Sequence, residues 1–145
     1  MALKVELKPG ERILIGDCVI TNSGQRTRLL VDGKKIPILR EKDILTSKQA
    51  DTPAKRIYLA ILLMYTSGET REHHATYFSL VQDLVRAAPS TLFHIEIINN
   101  HILTGNMYKA LKQTKELIAY ERELLGNESG RKNLRKSGKQ NLQPA

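Results

Sequence analysis

Seven basic side chains in the first third of the chain have types and spacings that could do chemistry: Lys8, Arg26, Arg28, Lys34, Lys35, Arg40 and Lys42. Arg26 and Arg28 are two apart, so on an extended backbone they project from one face. Lys34 and Lys35 follow immediately after Asp32-Gly33, a pair that favours a tight reversal. One sheet edge could thus present four cations, with Arg40 and Lys42 adding to it from the end of the next strand. A guanidinium is a planar fork that suits phosphate oxygens and base edges alike, whereas lysine supplies a point charge. The chemistry implied is the holding of a polyanion. The ordinary alternative is a solvated surface in which Glu41 and Asp43 neutralise their basic neighbours.

Other reactive side chains form no comparable set. His94 and His101 lie seven apart on a predicted helix and share a face, which would allow a metal or acid-base role, but helix packing or exposure is the commoner use. His73 and His74 open a helix and read the same way. Cys18, beside a turn in a short strand, reads as a buried structural thiol. As the single cysteine it excludes an internal disulfide and points to a reducing compartment, and no Cys/His spacing suits zinc. There is no phosphate-binding glycine loop, G-x-S-x-G, H-E-x-x-H or calcium loop. The expectation is a protein that is not an enzyme and needs no cofactor.

The charge balance agrees with a polyanionic partner and locates the attraction. Of the net +8, residues 1–45 carry 9 basic and 6 acidic groups, 46–125 carry 9 and 8, and 126–145 carry 5 and 1. The excess sits at the two ends. A positive field speeds encounter with RNA, DNA or anionic lipid without choosing among them. The longest apolar run, residues 57–65, is less than half of the ~20 residues a membrane-spanning helix needs. A cytoplasmic protein that does not enter membranes is expected.

The elements that must position the cations are short strands. Leu3, Val5 and Leu7 alternate with Lys4, Glu6 and Lys8, the period of a sheet buried on one side. Pro9-Gly10 then turns the chain. Residues 12–15 and 18–21 make two more strands around Gly16-Asp17, residues 26–31 a fourth, and 36–41 a fifth in which Pro37 suggests an edge or irregular position. From Asp51 the pattern becomes helical. Asp51 or Thr52 caps the first helix with Pro53 at its first position, and the run 57–65 is apolar around its circumference. Tyr77, Leu80, Val81, Leu84 and Val85 form the buried stripe of a second helix that Pro89 ends. A third carries Ile95, Ile98 and Ile102 up to Gly105, and a fourth runs 107–125. The predicted fold is α+β: an N-terminal five-stranded antiparallel barrel or curled sheet (1–45), a bundle of four helices (46–126), and a disordered basic tail (127–145) containing Arg131, Lys132, Arg135, Lys136 and Lys139. All tyrosines and phenylalanines lie beyond residue 57, so the strands carry no stacking platform of the kind common in readers of single-stranded RNA.

The opening Met1 to Asp17, then Pro37-Ile38-Leu39-Arg40-Glu41-Lys42-Asp43-Ile44-Leu45-Thr46, then Ala50 to Leu59 resemble the FlbT family of flagellated alphaproteobacteria, in register from residue 1 to about 125. The resemblance implies a post-transcriptional repressor that associates with the leader of flagellin mRNA and promotes its decay, with FlaF as its functional counterpart and a possible direct partner. A second, narrower likeness is to the RNA-binding regulator CsrA. It rests on Gly10-Glu11, Ile15-Gly16-Asp17, Val19 and Arg40-Glu41, and it implies a dimer with intertwined strands whose RNA surface includes the position of Arg40. Where CsrA has paired arginines this chain has Leu7-Lys8, so only Lys8 is carried over there. The RNA-binding set expected is therefore Arg40 with Lys8, Arg26, Arg28, Lys34, Lys35 and Lys42. The competing expectation is a protein-interaction adaptor or chaperone for flagellin or FlaF, working through the helices and compatible with a homo-oligomer.

Overall fold

The computed structural model describes residues 2–33, 36–67 and 70–141, with side chains up to Gly126 apart from Ala2 and Thr70. Five strands are followed by four α-helices: β1 (Ala2–Leu7), β2 (Arg12–Ile15), β3 (Cys18–Thr21), β4 (Thr27–Asp32), β5 (Ile38–Arg40), α1 (Pro53–Ser67), α2 (Thr70–Ala87), α3 (Leu92–Leu103) and α4 (Met107–Asn141). The α+β class stands. The strands, however, form two separate antiparallel sheets, β1-β4 and β3-β2-β5, and do not close into a barrel. The sequence reading missed this because it took Asp32-Gly33 as a hairpin between β4 and β5. Instead β4 pairs along its whole length with β1, from Ala2↔Asp32 to Leu7↔Thr27, while β5 pairs with β2. The two-residue hairpin lies at Gly16-Asp17, where Ile15 pairs with Cys18 and Gly16 adopts a φ of 62°, a conformation glycine takes without strain.

Strand alternation distributes side chains between two cores. Val5, Leu7 and Ile13 are buried together, with Ile15, Leu29, Val31 and Ile38 packed against them. Leu14 and Leu39, one residue out of phase with Ile13 and Ile38, point the other way and join the helical core. The β2-β5 pair is thus a layer between β1-β4 and the helices. β3 is exposed on all four residues, which places Cys18 at the surface and overturns the expectation of a buried thiol.

Helix α1 starts where Thr52 Oγ1 accepts the Lys55 amide at 3.3 Å, with Pro53 at the first position. Its next orphan donor, the Ala54 amide, is satisfied by the buried carboxylate of Glu121 on α4 at 2.9 Å. Ile57, Ile61, Ile95, Ile98, Leu111 and Leu117 form the centre of the bundle with Tyr77, whose hydroxyl donates to Asn99 Oδ1. Burial pushes the Tyr58 and Tyr77 hydroxyls well above the usual tyrosine range, with the Asp43 charge adding to the effect on Tyr58. Helix α4 continues past Gly126, where its end was expected, to Asn141. The basic tail expected over 127–145 falls on side chains outside the described set. No helix among the described residues is long and apolar enough to cross a membrane.

Candidate functional site

Three local features bring cations from distant parts of the sequence together. The Pro9-Gly10 turn, with Gly10 at φ 84°, places Lys8 beside Glu11, whose carboxylate accepts the Lys8 amide at 2.7 Å. Asn22 ties the following loop to this turn: its side-chain amide donates to the Leu7 and Gln25 carbonyls at 2.9 and 2.8 Å, and its backbone exchanges hydrogen bonds with Gly10 and Glu11. That fixes Arg26 next to the end of β1, where it pairs with Glu6 at 3.0 Å. Arg40, at the end of β5, bridges to the other sheet, where it donates to the Glu6 carbonyl at 3.1 Å, and lies 4.0 Å from Glu11.

The result is an open cavity of about 300 Å³ lined by Glu6, Lys8, Glu11, Arg26, Arg40 and Lys42. Arg40 and Lys42 also line an adjoining depression of about 560 Å³ with Pro9, Gly10, Glu11, Arg12 and Glu41. The Glu11 carboxyl is held below the usual glutamate range, chiefly by the Lys8 amide and then by the charges of Arg40, Lys8 and Lys42. Lys8 and Lys42 have no ion pair among the described residues; the Arg26-Glu6 pair is solvent-exposed and the Arg40-Glu11 pair partly so. Such pairs are worth at most about 1 kcal/mol. An incoming anion with several phosphates can displace them.

Four of the seven cations singled out in the sequence, Lys8, Arg26, Arg40 and Lys42, therefore meet at one place. Arg28 does not line this cavity; it lies opposite Glu6 on the outer face of the β1-β4 sheet, because β4 starts only at Thr27 and Arg26 precedes it. Lys34 and Lys35 lie outside the described residues. The neutralising acids also differ from those expected. Glu41 pairs with Arg12 at 3.6 Å, and Asp43, only 2% exposed, turns inward. Its Oδ1 is held by Lys115, with Lys112 at 4.0 Å, and its carbonyl accepts the Tyr58 hydroxyl at 2.6 Å, while Oδ2 has no hydrogen-bond partner among the described residues. Asp43 is the clasp between the strand region and the helices.

A family model described as flagellar protein FlbT matches residues 3–125. The chain belongs to the FlbT family. It is 60% identical over 126 residues to the probable flagellum biosynthesis repressor protein FlbT 1 of Bradyrhizobium diazoefficiens, a match covering 87% of this chain and 86% of that one. A probable flagellum biosynthesis repressor FlbT from Rhodopseudomonas palustris is 52% identical, with 86% and 98% covered. The flagellum biosynthesis repressor FlbT of Caulobacter vibrioides is 38% identical, with 89% and 93% covered. No solved structure matches the chain.

One of the histidines in this FlbT chain, His94, is placed by packing against α4. The His94 ring meets Gln113, whose amide is 3.2 Å from Nδ1, and Tyr120, whose ring centroid is 5.2 Å away. The residues sequence reasoning missed are those that join the strands to the helices. Tyr65 accepts the Ile38 amide at 3.1 Å, and Tyr65 and Tyr108 share a cavity with Arg40. No periodicity signals these pairings, since they depend on how the two layers dock.

Proposed function

We propose that this chain is a repressor of flagellin synthesis in flagellum biogenesis that binds the 5' leader of flagellin mRNA through the Lys8-Arg26-Arg40-Lys42 cavity and promotes decay of the message in the cytoplasm. The reading is supported by the convergence of four cations from three separate segments on one open cavity, in a family whose relatives are named flagellum biosynthesis repressors. Lys8 and Lys42 supply point charges for phosphates, and Arg40, partly sheltered and held by the Glu6 carbonyl, supplies a planar fork for a base edge.

Titration of the leader RNA against a scrambled control at near-physiological salt tests this. Arg40→Ala is expected to weaken leader binding by about 1–3 kcal/mol and to reduce discrimination. Lys8→Ala or Lys42→Ala should instead lower affinity for both RNAs and reduce the slope of log K against log salt by about 0.7, the value for one contact to a single strand. A folded Arg40→Ala protein that binds the leader as tightly as the parent removes Arg40 from the mechanism.

A second reading, an adaptor for flagellin or FlaF, is favoured by large apolar side chains left on the helices: Phe78 on α2, and Phe93 and Leu103 on α3, are all more than half exposed. Copurification with FlaF or flagellin, without preference for the leader over scrambled RNA, would select it.

A further inference from the structure

The strands carry no aromatic residue, yet the fold delivers two to the edge of the cation cluster. A cavity of about 380 Å³ lies between the strand layer and the helices, with Leu3, Val5 and Ile38 contributing apolar wall. Tyr65 comes from the end of α1 and Tyr108 from the start of α4. Lys4 and Arg40 supply the charge, and Arg40 also lines the polar cavity described above. The volume is at the lower end of the roughly 300–1,000 Å³ of small-molecule sites, so it suits one flat group rather than a chain segment.

We infer that this cavity holds a single unpaired nucleobase of the bound RNA, stacked on Tyr108. The inference rests on the RNA-binding reading above and names the part of the RNA that the site reads. Every unpaired base has a π-face, and proteins that bind single strands characteristically combine cations on the backbone with aromatic rings under the bases. Tyr108 is 39% exposed and therefore accessible. Lys112 Nζ lies 5.2 Å from its ring centroid and covers one face, so a stacked base takes the other, with a cation at hand for its phosphate. Tyr65 is less free: its hydroxyl is engaged by the Ile38 amide, so it forms fixed wall. Arg40 joins the two cavities, which lets one nucleotide place its base among the tyrosines while its neighbours' phosphates meet Lys8 and Lys42. An apolar cavity beside exposed strands could instead be covered by a second copy of this chain, but Lys4 and Arg40 in its lining favour a nucleotide, whose neutral base enters the cavity while its phosphate stays with the cations.

The test uses the 145-residue chain, which contains no tryptophan, with leader RNA and a scrambled control. Tyr108→Trp keeps a flat ring and introduces a single indole reporter. Its fluorescence should be quenched as leader RNA is added, saturating with the binding curve. Tyr108→Leu, at a position 39% exposed, should weaken leader binding roughly five- to hundredfold, the range of one base-aromatic stack, while leaving the salt slope unchanged because no phosphate contact is lost. Circular dichroism confirms that both variants fold. If the parent prefers the leader and Lys8→Ala weakens it, but Tyr108→Leu binds as the parent does and the indole is not quenched, the base site is wrong and the RNA reading stands. If the indole signal follows protein concentration and ignores RNA, a second copy occupies the cavity and the inference is overturned. If the parent shows no preference for the leader, the RNA reading fails and the base site fails with it.

Discussion

The helical bundle and the strand region achieve their order by different means. Among the described residues the main core cluster comprises sixteen buried side chains, fifteen of them on helices, whereas the cluster between the sheets has only Val5, Leu7 and Ile13. The strand region leaves Leu3, Val19, Ile20 and Leu30 substantially exposed, Leu30 at 70%. Two short sheets with three buried side chains cannot offset the entropy of ordering some forty residues. The strand region must therefore depend on the bundle. It does so through Leu14 and Leu39 in the helical core, the Tyr65-Ile38 hydrogen bond and the Asp43 clasp. The bundle supplies stability and the strands supply a charged surface.

The contrast can be broken most sharply at the core. Ile61→Ala, at a fully buried position, should destabilise the protein by about 2–5 kcal/mol, while Val19→Ala on the exposed edge strand should stay within about 0.5 kcal/mol. Urea unfolding with a common slope measures both; equal losses would mean that β3 is covered by something else. Next in size is the clasp. Lys115→Ala leaves the Asp43 carboxylate buried with only Lys112 nearby, at 4.0 Å. Breaking a buried pair typically costs about 3–5 kcal/mol, but Lys115 is itself about one-third exposed, so a loss of about 1–3 kcal/mol is expected. Asp43→Asn, which removes the buried charge while keeping the shape, should cost less than Lys115→Ala. Smaller again is Tyr65→Phe, which deprives the Ile38 amide of its acceptor for about 1 kcal/mol. Hydrogen exchange at Ile38 should rise more than exchange within α1 or α3; uniform acceleration would mean that the strands do not open separately.

Most of what the sequence made legible was local. Alternation at Val5 and Leu7, the Thr52-Pro53 helix start and the Tyr77-Val81-Leu84 stripe all rest on periods and caps that a single stretch encodes, and each is found in the structure, whereas Leu3, expected on the same buried face, is 48% exposed. Strand pairing was not legible. Asp32-Gly33 is a good hairpin signal that lost to the non-local β1-β4 ladder, in which Leu3, Val5 and Leu7 face Val31, Leu29 and Thr27. The site was half legible for the same reason. Residue type marked Lys8, Arg26, Arg40 and Lys42, but their convergence depends on Asn22 binding a turn fifteen residues earlier. Arg28 differs from Arg26 by a single strand boundary. The role of Asp43 appears only once helix α4 is docked, since Lys115 lies seventy-two residues from its partner and no short motif spans that distance.

The smallest expected effect concerns the acids that share the cation cavity. Glu11 is partly exposed, and its carboxyl is held below the usual glutamate value by the Lys8 amide first and by Arg40, Lys8 and Lys42 after it. Because the folded value is depressed, this contribution to stability is present above the ordinary glutamate range and is lost as pH falls through the lower folded value. Glu11→Gln should therefore lower stability slightly at pH 7, a difference that fades as pH falls through the lowered folded value of Glu11 and its carboxylate is protonated. Its effect on RNA has the opposite sign. Removing one negative charge from among Lys8, Arg40 and Lys42 should raise leader affinity severalfold at pH 7, with the gain fading as salt screens exposed charges. Glu41→Gln, which relieves Arg12 at the edge of the adjoining depression, should change leader affinity less. Paired titrations at low and near-physiological salt distinguish these outcomes: if Glu41→Gln gains more than Glu11→Gln, the anion sits in the Arg12 depression and not in the cavity built around Arg40.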